Sequence, residues 1–381
     1  MNPIYLDYAA ATPLHPAVLE QMMPYLTHGF GNPSSLHAFG RSAQNAVREA
    51  RDTIGARLGF PGRQLVFTSG GTESDNLALF GTASLAGSPG HIITSQIEHH
   101  AVLHSCRRLE QLGYRVTYLP VSSTGRISIE DVRAAIRPDT ILISIMYGNN
   151  EVGTLQPIRE IGNLAREHGI PFHVDAVQAL GVEELDLNKL PVDLMSFSAH
   201  KIQGPKGIGA LYAAGQTKLS PQLFGGTQER SRRAGTENVA GIVGFAEAVR
   251  LAYEDLPAKR DKLNTLRTVM IRELEQTLTK EGFVINGDPD HRLPHILNVS
   301  FPGVSSETML MNLDLAGIAA ASGSACTSGS LELSHVLKAM NLPEEVMRSA
   351  VRFSFGPGTT EEEVHRAAQE TATIVRRIRN T

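Results

Sequence analysis

The residue whose position most clearly suggests a chemical role is Lys201, which follows a predicted buried apolar strand and precedes the turn Gly204-Pro205-Lys206-Gly207. A lysine in this place must stay hydrated, find a partner or lose its proton. The neutral amine formed in the last case is the form that attacks an aldehyde. A solvated loop lysine is the simpler interpretation of a lone lysine, so the assignment depends on the residues that accompany Lys201.

Four other predicted strands also end in residues that could bind a ligand. The strand that ends near residue 68 leads into Gly71 and Thr72 at the start of a predicted helix, where backbone amides can bind an anion. The candidates at the ends of the other three strands are His99, Asn150, and Asp175 with Gln178. Ser198 and His200 lie at the end of the strand that precedes Lys201. Capping or turn chemistry explains each one singly, but five strand ends at one sheet edge indicate a shared site.

A phosphorylated pyridine aldehyde fits this set of side chains. Its phosphate would bind at the Thr72 turn, with Ser198 and His200 as further donors. Its protonated ring nitrogen would pair with Asp175, and its aldehyde would condense with Lys201. The spacing therefore indicates a cofactor site rather than separate local turns.

Gln178 and His99 would complete that site, since the amide would meet the phenolic oxygen and the imidazole would stack on the ring. A rival interpretation treats His99, His100 and His104 as metal ligands. No glutamate follows the first histidine as in zinc-protease helices, and His99 would face elsewhere on a helix. We therefore predict no metal.

Alternating strands and helices must position these residues. From residue 64 to residue 212, strands alternate with helices, and β-branched runs such as 141–145 are typical of a mostly parallel sheet covered on both faces. The pattern changes after residue 256. We predict an α/β fold with a seven-stranded sheet in a large domain (15–256) and a smaller α+β domain (1–14 and 257–381).

Cys106 and Cys326, the only cysteines in the sequence, are too few for a disulfide framework or a four-thiolate metal site. Cys106 lies on a predicted helix with apolar spacing, so we expect it to be buried as a small hydrophobic residue. Cys326 lies in a run of Ser, Gly, Ala and Thr without an apolar anchor. This composition suits an exposed nucleophile that visits a buried cofactor, with an idle surface thiol as the alternative.

Arg352 is a charged residue within the apolar run 351–355, so it needs an anionic partner. A substrate carboxylate matches its guanidinium, and a structural salt bridge is the alternative. The formal net charge of −4 over 381 residues does not favour direct nucleic-acid binding. No basic-apolar leader or membrane-length apolar stretch is present, and we expect a cytoplasmic protein that does not bind membranes.

The assembled residues resemble the cysteine desulfurases, which are pyridoxal 5'-phosphate (PLP) enzymes of fold type I in the class V aminotransferase group. The similarity runs from residue 5 to the last helix. It rests on TSGGTESDN at 68–76, NNEVG at 149–153, HVDAVQ at 173–178, SAHK at 198–201 and SGSACTS at 322–328. The long cysteine loop resembles the branch that supplies iron–sulfur cluster assembly or tRNA thiolation.

The resemblance implies a role for each matching residue. Lys201 would hold PLP and move protons, and His99 would stack on the ring and assist acid–base steps. The residues implied to bind or tune the cofactor are Lys201, Gly71, Thr72, His99, Asp175, Gln178, Ser198 and His200. Thr236 would reach the phosphate of the other subunit, which implies a homodimer. Asn150 and Arg352 would hold the substrate carboxylate.

The implied activity converts L-cysteine to L-alanine, leaves a persulfide on Cys326 and transfers the sulfur to an acceptor protein. The sequence ends at Thr381 soon after its last helix, whereas housekeeping relatives carry a longer tail that docks the cluster scaffold. We therefore expect a different main acceptor, such as a tRNA-thiolating enzyme. The alternatives are a selenocysteine lyase, an aminotransferase of the same fold, and a PLP-bound sulfur-relay protein with little turnover.

Overall fold

The structure is a computed structural model and describes residues 3–279, 282–323 and 333–380. Helices cover both faces of a central sheet, and a second set of strands and helices follows it along the chain. The helices are α1 (Pro16–Thr27), α2 (Ala38–Leu58), α3 (Gly71–Ala83), α4 (His100–Gln111), α5 (Ile129–Ala135), α6 (Ile158–Glu167), α7 (Gln228–Ser231), α8 (Val239–Ala252), α9 (Leu256–Leu278), α10 (Ser306–Leu315), α11 (His335–Ala339), α12 (Glu344–Arg348) and α13 (Glu361–Arg379).

The strands are β1 (Ile4–Tyr5), β2 (Leu65–Thr68), β3 (His91–Ser95), β4 (Arg115–Leu119), β5 (Thr140–Ser144), β6 (Phe172–Asp175), β7 (Leu194–Ser198), β8 (Gly209–Ala213), β9 (Val284–Asn286), β10 (Ile296–Ser300), β11 (Ile318–Ala319) and β12 (Ala350–Ser354). Seven of them form the central sheet in the order β2-β8-β7-β6-β5-β3-β4. Strand β8 runs in the opposite direction to the other six strands of this sheet. The predicted mostly parallel seven-stranded sheet is therefore confirmed.

Burial of apolar strands explains why this sheet forms. All residues of β2, β3, β6, β7 and β8 are buried, as expected when helices cover both faces of a sheet. On one face, Ile54 and Leu58 of α2 and Phe245 of α8 join the main apolar core. On the other face, Leu77 of α3 and Cys106 of α4 pack in a second cluster. This layered packing fixes the positions of the strand ends.

A separate apolar cluster lies in the later part of the chain. It includes Leu266 of α9, Val299 of β10, Phe353 of β12 and Val364 of α13. Strands β12, β10 and β9 form an antiparallel sheet, while β1 pairs in parallel with β11. Through β1 the N-terminal segment joins this cluster, since Ile4 and Leu6 are buried in it. The domain boundary at residue 256 remains a prediction.

Two elements of the second part carry no periodic signal in the sequence. Strand β11 has only two residues, and α12 is a helix of five residues that follows Pro343. Elements this short are fixed by tertiary packing rather than by local pattern. Within the described ranges, no helix is long and apolar enough to cross a membrane.

Candidate active site

A cavity lies beyond the carboxyl ends of the parallel strands. Among the described residues, it gathers every predicted site residue except Thr236. Those that line it are Gly71, Thr72, His99, Asn150, Asp175, Gln178, Ser198, His200, Lys201 and Arg352. Because the carboxyl ends of parallel strands lie at one edge of the sheet, residues from five separate strand ends meet in this cavity. The cavity is also lined by Ala9, Ala10 and Asp75, which were not predicted.

One end of the cavity has the features of an anion site. Helix α3 begins at Gly71, directly after Gly70, whose φ of 155° lies in a region that favours glycine. A Cβ atom on Gly71 would lie 2.7 Å from a methyl group of Val177, so little room exists for a side chain there. Ser198 Oγ and His200 Nδ1 are hydrogen-bonded at 2.9 Å beside this turn. Helix amides and the Ser198 hydroxyl suit a phosphate.

His99 precedes helix α4 and caps it. Its Nδ1 accepts a hydrogen bond from the Ala101 backbone N–H at 3.1 Å, so the ring proton resides on Nε2. Burial, together with the positive charge of Lys201, lowers the pKa of His99 to about 4. The imidazole is therefore neutral at physiological pH and presents a planar face and one N–H group.

Asp175 ends strand β6 and is 7% exposed. Its Oδ1 accepts a hydrogen bond from the Val177 backbone N–H at 2.9 Å. Burial raises the pKa of Asp175 to about 6, while this hydrogen bond and the charge of Lys201 act in the opposite direction. A buried carboxylate of this kind is stabilised by a cation, and a protonated ring nitrogen is a suitable one.

Lys201 lies in the turn Ala199–Lys201 that follows strand β7. Its Nζ donates hydrogen bonds to the carbonyl oxygens of Ala9 at 2.6 Å and Ala10 at 2.8 Å. The N-terminal segment therefore orients the amine at the cavity wall. These acceptors could not be predicted from the sequence, because the residue types do not show where a backbone carbonyl oxygen will lie.

Arg352 is buried on β12, and its side chain is 1% exposed. Its Nη2 forms an ion pair with Asp7 Oδ1 at 2.8 Å, and its Nη1 donates to the Asn150 carbonyl oxygen at 2.8 Å. Both alternatives from the sequence therefore stay relevant, since the guanidinium lines the cavity and also makes a structural salt bridge. Asn150 contacts Arg352 through its backbone, and its substrate role remains a prediction.

Two buried carboxyl groups near the cavity were missed by the sequence analysis. Burial raises the pKa of Asp75 well above its usual range, and the negative charge of Asp175 adds to this shift. Burial also raises the pKa of Glu98 to about 8, although Ser95 and the Met146 backbone N–H donate to Oε1. The motifs TESDN and EHH place both residues beside predicted site residues, which was a usable signal.

Thr236 is exposed and does not line the cavity. Cys326 lies outside the described residues. The described chain on either side of residues 324–332 lies close to the cavity: Ser334 Oγ donates to Glu151 Oε2 at 2.5 Å, and Ala321 pairs with Arg352. Cys106 is fully buried, as predicted for a structural thiol, and burial raises its pKa.

The histidines considered as metal ligands lie near one another. The ring centroids of His100 and His104 are 5.0 Å apart, and that of His335 is 4.7 Å from His100. Over residues 3–279, 282–323 and 333–380, no group of three or more His, Cys, Asp or Glu side chains is arranged to hold a metal ion. These rings pack on one another at the edge of the site.

The cavity can therefore bind an anion at the α3 turn and a cationic ring atom at Asp175, and it is also lined by Lys201 and by the neutral imidazole of His99. This arrangement, on a seven-stranded mostly parallel sheet, is that of the PLP-dependent transferases of fold type I.

Comparisons with known proteins agree with this class. The sequence profile of the class-V aminotransferases matches residues 4–367. The chain is 53% identical over 382 residues to a protein of Bacillus subtilis named putative cysteine desulfurase IscS 1, covering 99% of this chain and all of that protein. It is 47% identical over 377 residues to cysteine desulfurase IscS of Dictyoglomus turgidum, covering 99% and 95%.

Solved structures give the same answer. A structure titled NifS-like protein superposes with a TM-score of 0.92 at 36% identity and covers 98% of this chain and 99% of that one. A structure titled SspA in complex with cysteine superposes with a TM-score of 0.82 at 39% identity and covers 94% and 100%. The chain belongs to the class-V aminotransferase family and, within it, to the cysteine desulfurases.

Proposed function

We propose that this protein is a PLP-dependent sulfurtransferase that converts L-cysteine to L-alanine and passes the sulfur from Cys326 to an acceptor. One observation carries the proposal: the cavity brings the Lys201 amine, the Asp175 carboxylate and the α3 turn together at one sheet edge. A relative whose structure is titled as a complex with cysteine supports the choice of substrate.

The side chains around the cavity fit PLP. The turn at Gly71 and Thr72 would hold its phosphate together with Ser198 and His200. Asp175, a buried carboxylate whose pKa burial raises to about 6, would pair with the ring nitrogen. When bound, PLP supplies an electron sink that eases removal of the α-proton and cleavage of the Cβ–S bond.

The remaining groups of the chain act on the substrate. Lys201 would hold the cofactor and then move the α-proton, since its Nζ lies at the cavity wall. His99 would stack on the ring and use its Nε2–H in acid–base steps. Arg352 and Asn150 would bind the substrate carboxylate, and the Arg352 guanidinium suits that planar acceptor.

Cys326 would accept the sulfur of the substrate. Its thiolate attacks the substrate sulfur, an S–S bond forms, and the Cβ–S bond breaks with its electrons left on carbon. Protonation of that carbon and return of the α-proton by Lys201 would give alanine, and a persulfide would remain on Cys326. The position of Ala321 beside Arg352 and of Ser334 beside Glu151 supports this role, because the described chain flanks Cys326 near the cavity.

A homodimer and a sulfur-acceptor protein complete the proposal. Phe30 and Phe39 stack on each other while 76% and 58% exposed, and Leu36 is 91% exposed, so this apolar surface suits a second copy. Thr236 would then reach the phosphate of the partner. The acceptor would be a tRNA-thiolating enzyme or an iron–sulfur scaffold, and the cytoplasmic location remains a prediction from the sequence.

The first test mixes the purified protein with L-cysteine and a reductant and measures alanine, sulfide and the absorption of bound PLP. We expect equal amounts of alanine and sulfide from the wild type. Cys326→Ala should keep its PLP absorption but lose almost all turnover, whereas Cys106→Ala, which removes the buried thiol, should keep its turnover. Full activity of Cys326→Ala would refute the sulfur-carrier role and favour a generic PLP lyase.

A further inference from the structure

His295 is a buried histidine that the proposed chemistry does not use. It directly precedes β10, in the part of the chain that follows the central sheet, and is 7% exposed. Its Nε2 lies 3.3 Å from Oε1 of Gln178, which lines the active-site cavity. The imidazole therefore contacts a predicted cofactor ligand without lining that cavity itself.

The contacts of Gln178 determine which way its amide points. Its Nε2 donates to the carbonyl oxygen of Ala9 at 2.9 Å. A carbonyl oxygen only accepts hydrogen bonds, so the reversed amide would place two acceptors against each other. Oε1 must therefore face His295, and His295 must provide a donor at Nε2.

The protonation state of His295 agrees with this requirement. Burial, together with the positive charges of Arg352 and Lys201, lowers its pKa to about 3. The neutral ring carries one N–H group, and the Gln178 contact assigns it to Nε2. Nδ1 is buried and has no hydrogen-bond partner within the described part of the chain, as fits the nitrogen without a proton.

The same carbonyl oxygen links this pair to Lys201. Ala9 O accepts from Gln178 Nε2 at 2.9 Å and from Lys201 Nζ at 2.6 Å. A hydrogen-bonded series thus runs from His295 through Gln178 and Ala9 to the amine. A change at His295 would reach both the amide and the amine in the cavity.

We propose that His295 is a positioning residue that fixes the Gln178 amide with its second N–H group available to the phenolic oxygen of PLP. The inference rests on the proposed function, because it assigns a donor to that cofactor. Without the Nε2–H donor, Oε1 loses its partner and the amide is held only through the Ala9 carbonyl oxygen, so it can pivot about that contact and turn its second N–H group away from the phenolic oxygen.

The test compares His295→Leu, which removes the donor at similar volume, with His295→Gln, whose side-chain amide places an N–H donor near the position of the imidazole Nε2. We expect PLP added to the full-length apoprotein to bind about tenfold more weakly to the Leu variant, with a shifted absorption maximum of the bound cofactor. The Gln variant should stay near wild type in both. Equal behaviour of the two variants in affinity and absorption would overturn the proposal.

A double-mutant cycle with Gln178→Met separates positioning from general packing. If His295 acts through Gln178, His295→Leu should have almost no further effect on PLP affinity in the Gln178→Met background. An undiminished tenfold effect in that background would overturn the proposal. Because affinity and absorption are measured without L-cysteine, failure of the desulfurase reaction would leave these results unchanged.

The tautomer of His295 can be measured directly in the wild-type protein, so this test does not depend on whether a variant folds. Nitrogen-15 NMR of the wild-type apoprotein should show His295 neutral with its proton on Nε2 at neutral pH. A proton on Nδ1, or a doubly protonated ring, would overturn the proposal. This result does not depend on turnover, so it is distinguishable from failure of the proposed function.

Discussion

Burial sets the charge of individual side chains around the cavity. It lowers the pKa of His99 and of His200 to about 4, so both rings are neutral at physiological pH. It raises the pKa of Asp175 to about 6, while the positive charge of Lys201 acts to lower this pKa. Asp175 is therefore ionised at physiological pH. The site therefore contains one ionised carboxylate aimed at the cofactor and neutral rings near it.

Glu98 should make the stability of the apoprotein depend on pH. Burial raises its pKa from 4.5 to about 8, so the folded protein binds a proton between these values that the unfolded chain does not bind. Its stabilising contribution is complete below about pH 4.5 and is lost as the pH rises towards about 8. The expected slope is up to about 1.4 kcal/mol per pH unit in that window.

Urea unfolding of the apoprotein at several pH values between about 5 and 8 measures this slope. Glu98→Gln, which cannot ionise, should remove the part of the slope that Glu98 contributes, whereas Glu167→Gln, at an exposed position at the end of α6, should retain the whole slope. An unchanged slope in Glu98→Gln would show that this carboxyl group is already ionised in the folded protein.

Among the elements, the N-terminal segment links the second apolar cluster to the turn that carries Lys201. It joins the second apolar cluster through Ile4 and then crosses to the central sheet, where Ala9 and Ala10 hold Lys201. Beyond these residues, Thr12 Oγ1 donates to the His200 carbonyl at 2.8 Å and accepts from the Gln203 N–H at 2.7 Å. The segment thus supports both sides of the turn that carries the lysine.

Thr12→Val should loosen this turn. The substitution is nearly isosteric but leaves the Gln203 N–H without its partner, and Gln203 has a left-handed φ of 62° that the contact helps to hold. We expect a loss of about 1 to 3 kcal/mol in the free energy of unfolding and faster release of PLP. Thr12→Ser keeps the hydroxyl and should behave as wild type. Identical results for the two variants would mean that the hydroxyl does not support the turn.

For the whole molecule, the sequence predicted the sheet and most of the site because both follow local rules. Runs of β-branched residues predict buried strands, and parallel strands end at the same edge of a sheet. Asp175 and Lys201 were therefore predicted to lie in one site, and both line the cavity. The contacts of Lys201 with Ala9 and of Arg352 with Asp7 were missed. They join residues 192 and 345 positions apart, and no pattern within one element specifies such a pair.

Arg352 connects three parts of the molecule, since it lies on β12, pairs with Asp7 of the N-terminal segment and donates to Asn150 beside the central sheet. Its structural and substrate roles make different predictions. Asp7→Asn keeps a hydrogen-bond acceptor but removes the charge that balances a buried guanidinium. We expect it to lower the free energy of unfolding by about 3 kcal/mol and to leave the KM for L-cysteine within about twofold of wild type.

Arg352→Lys keeps the positive charge but loses the planar fork that can bind a carboxylate with two hydrogen bonds. If Arg352 holds the substrate, this variant should raise the KM for L-cysteine at least about tenfold. Urea unfolding and steady-state alanine formation measure both quantities on the same preparations. Should both variants destabilise the fold while the KM of each stays near wild type, Arg352 would be a structural residue that joins these three parts, and another group would bind the substrate carboxylate.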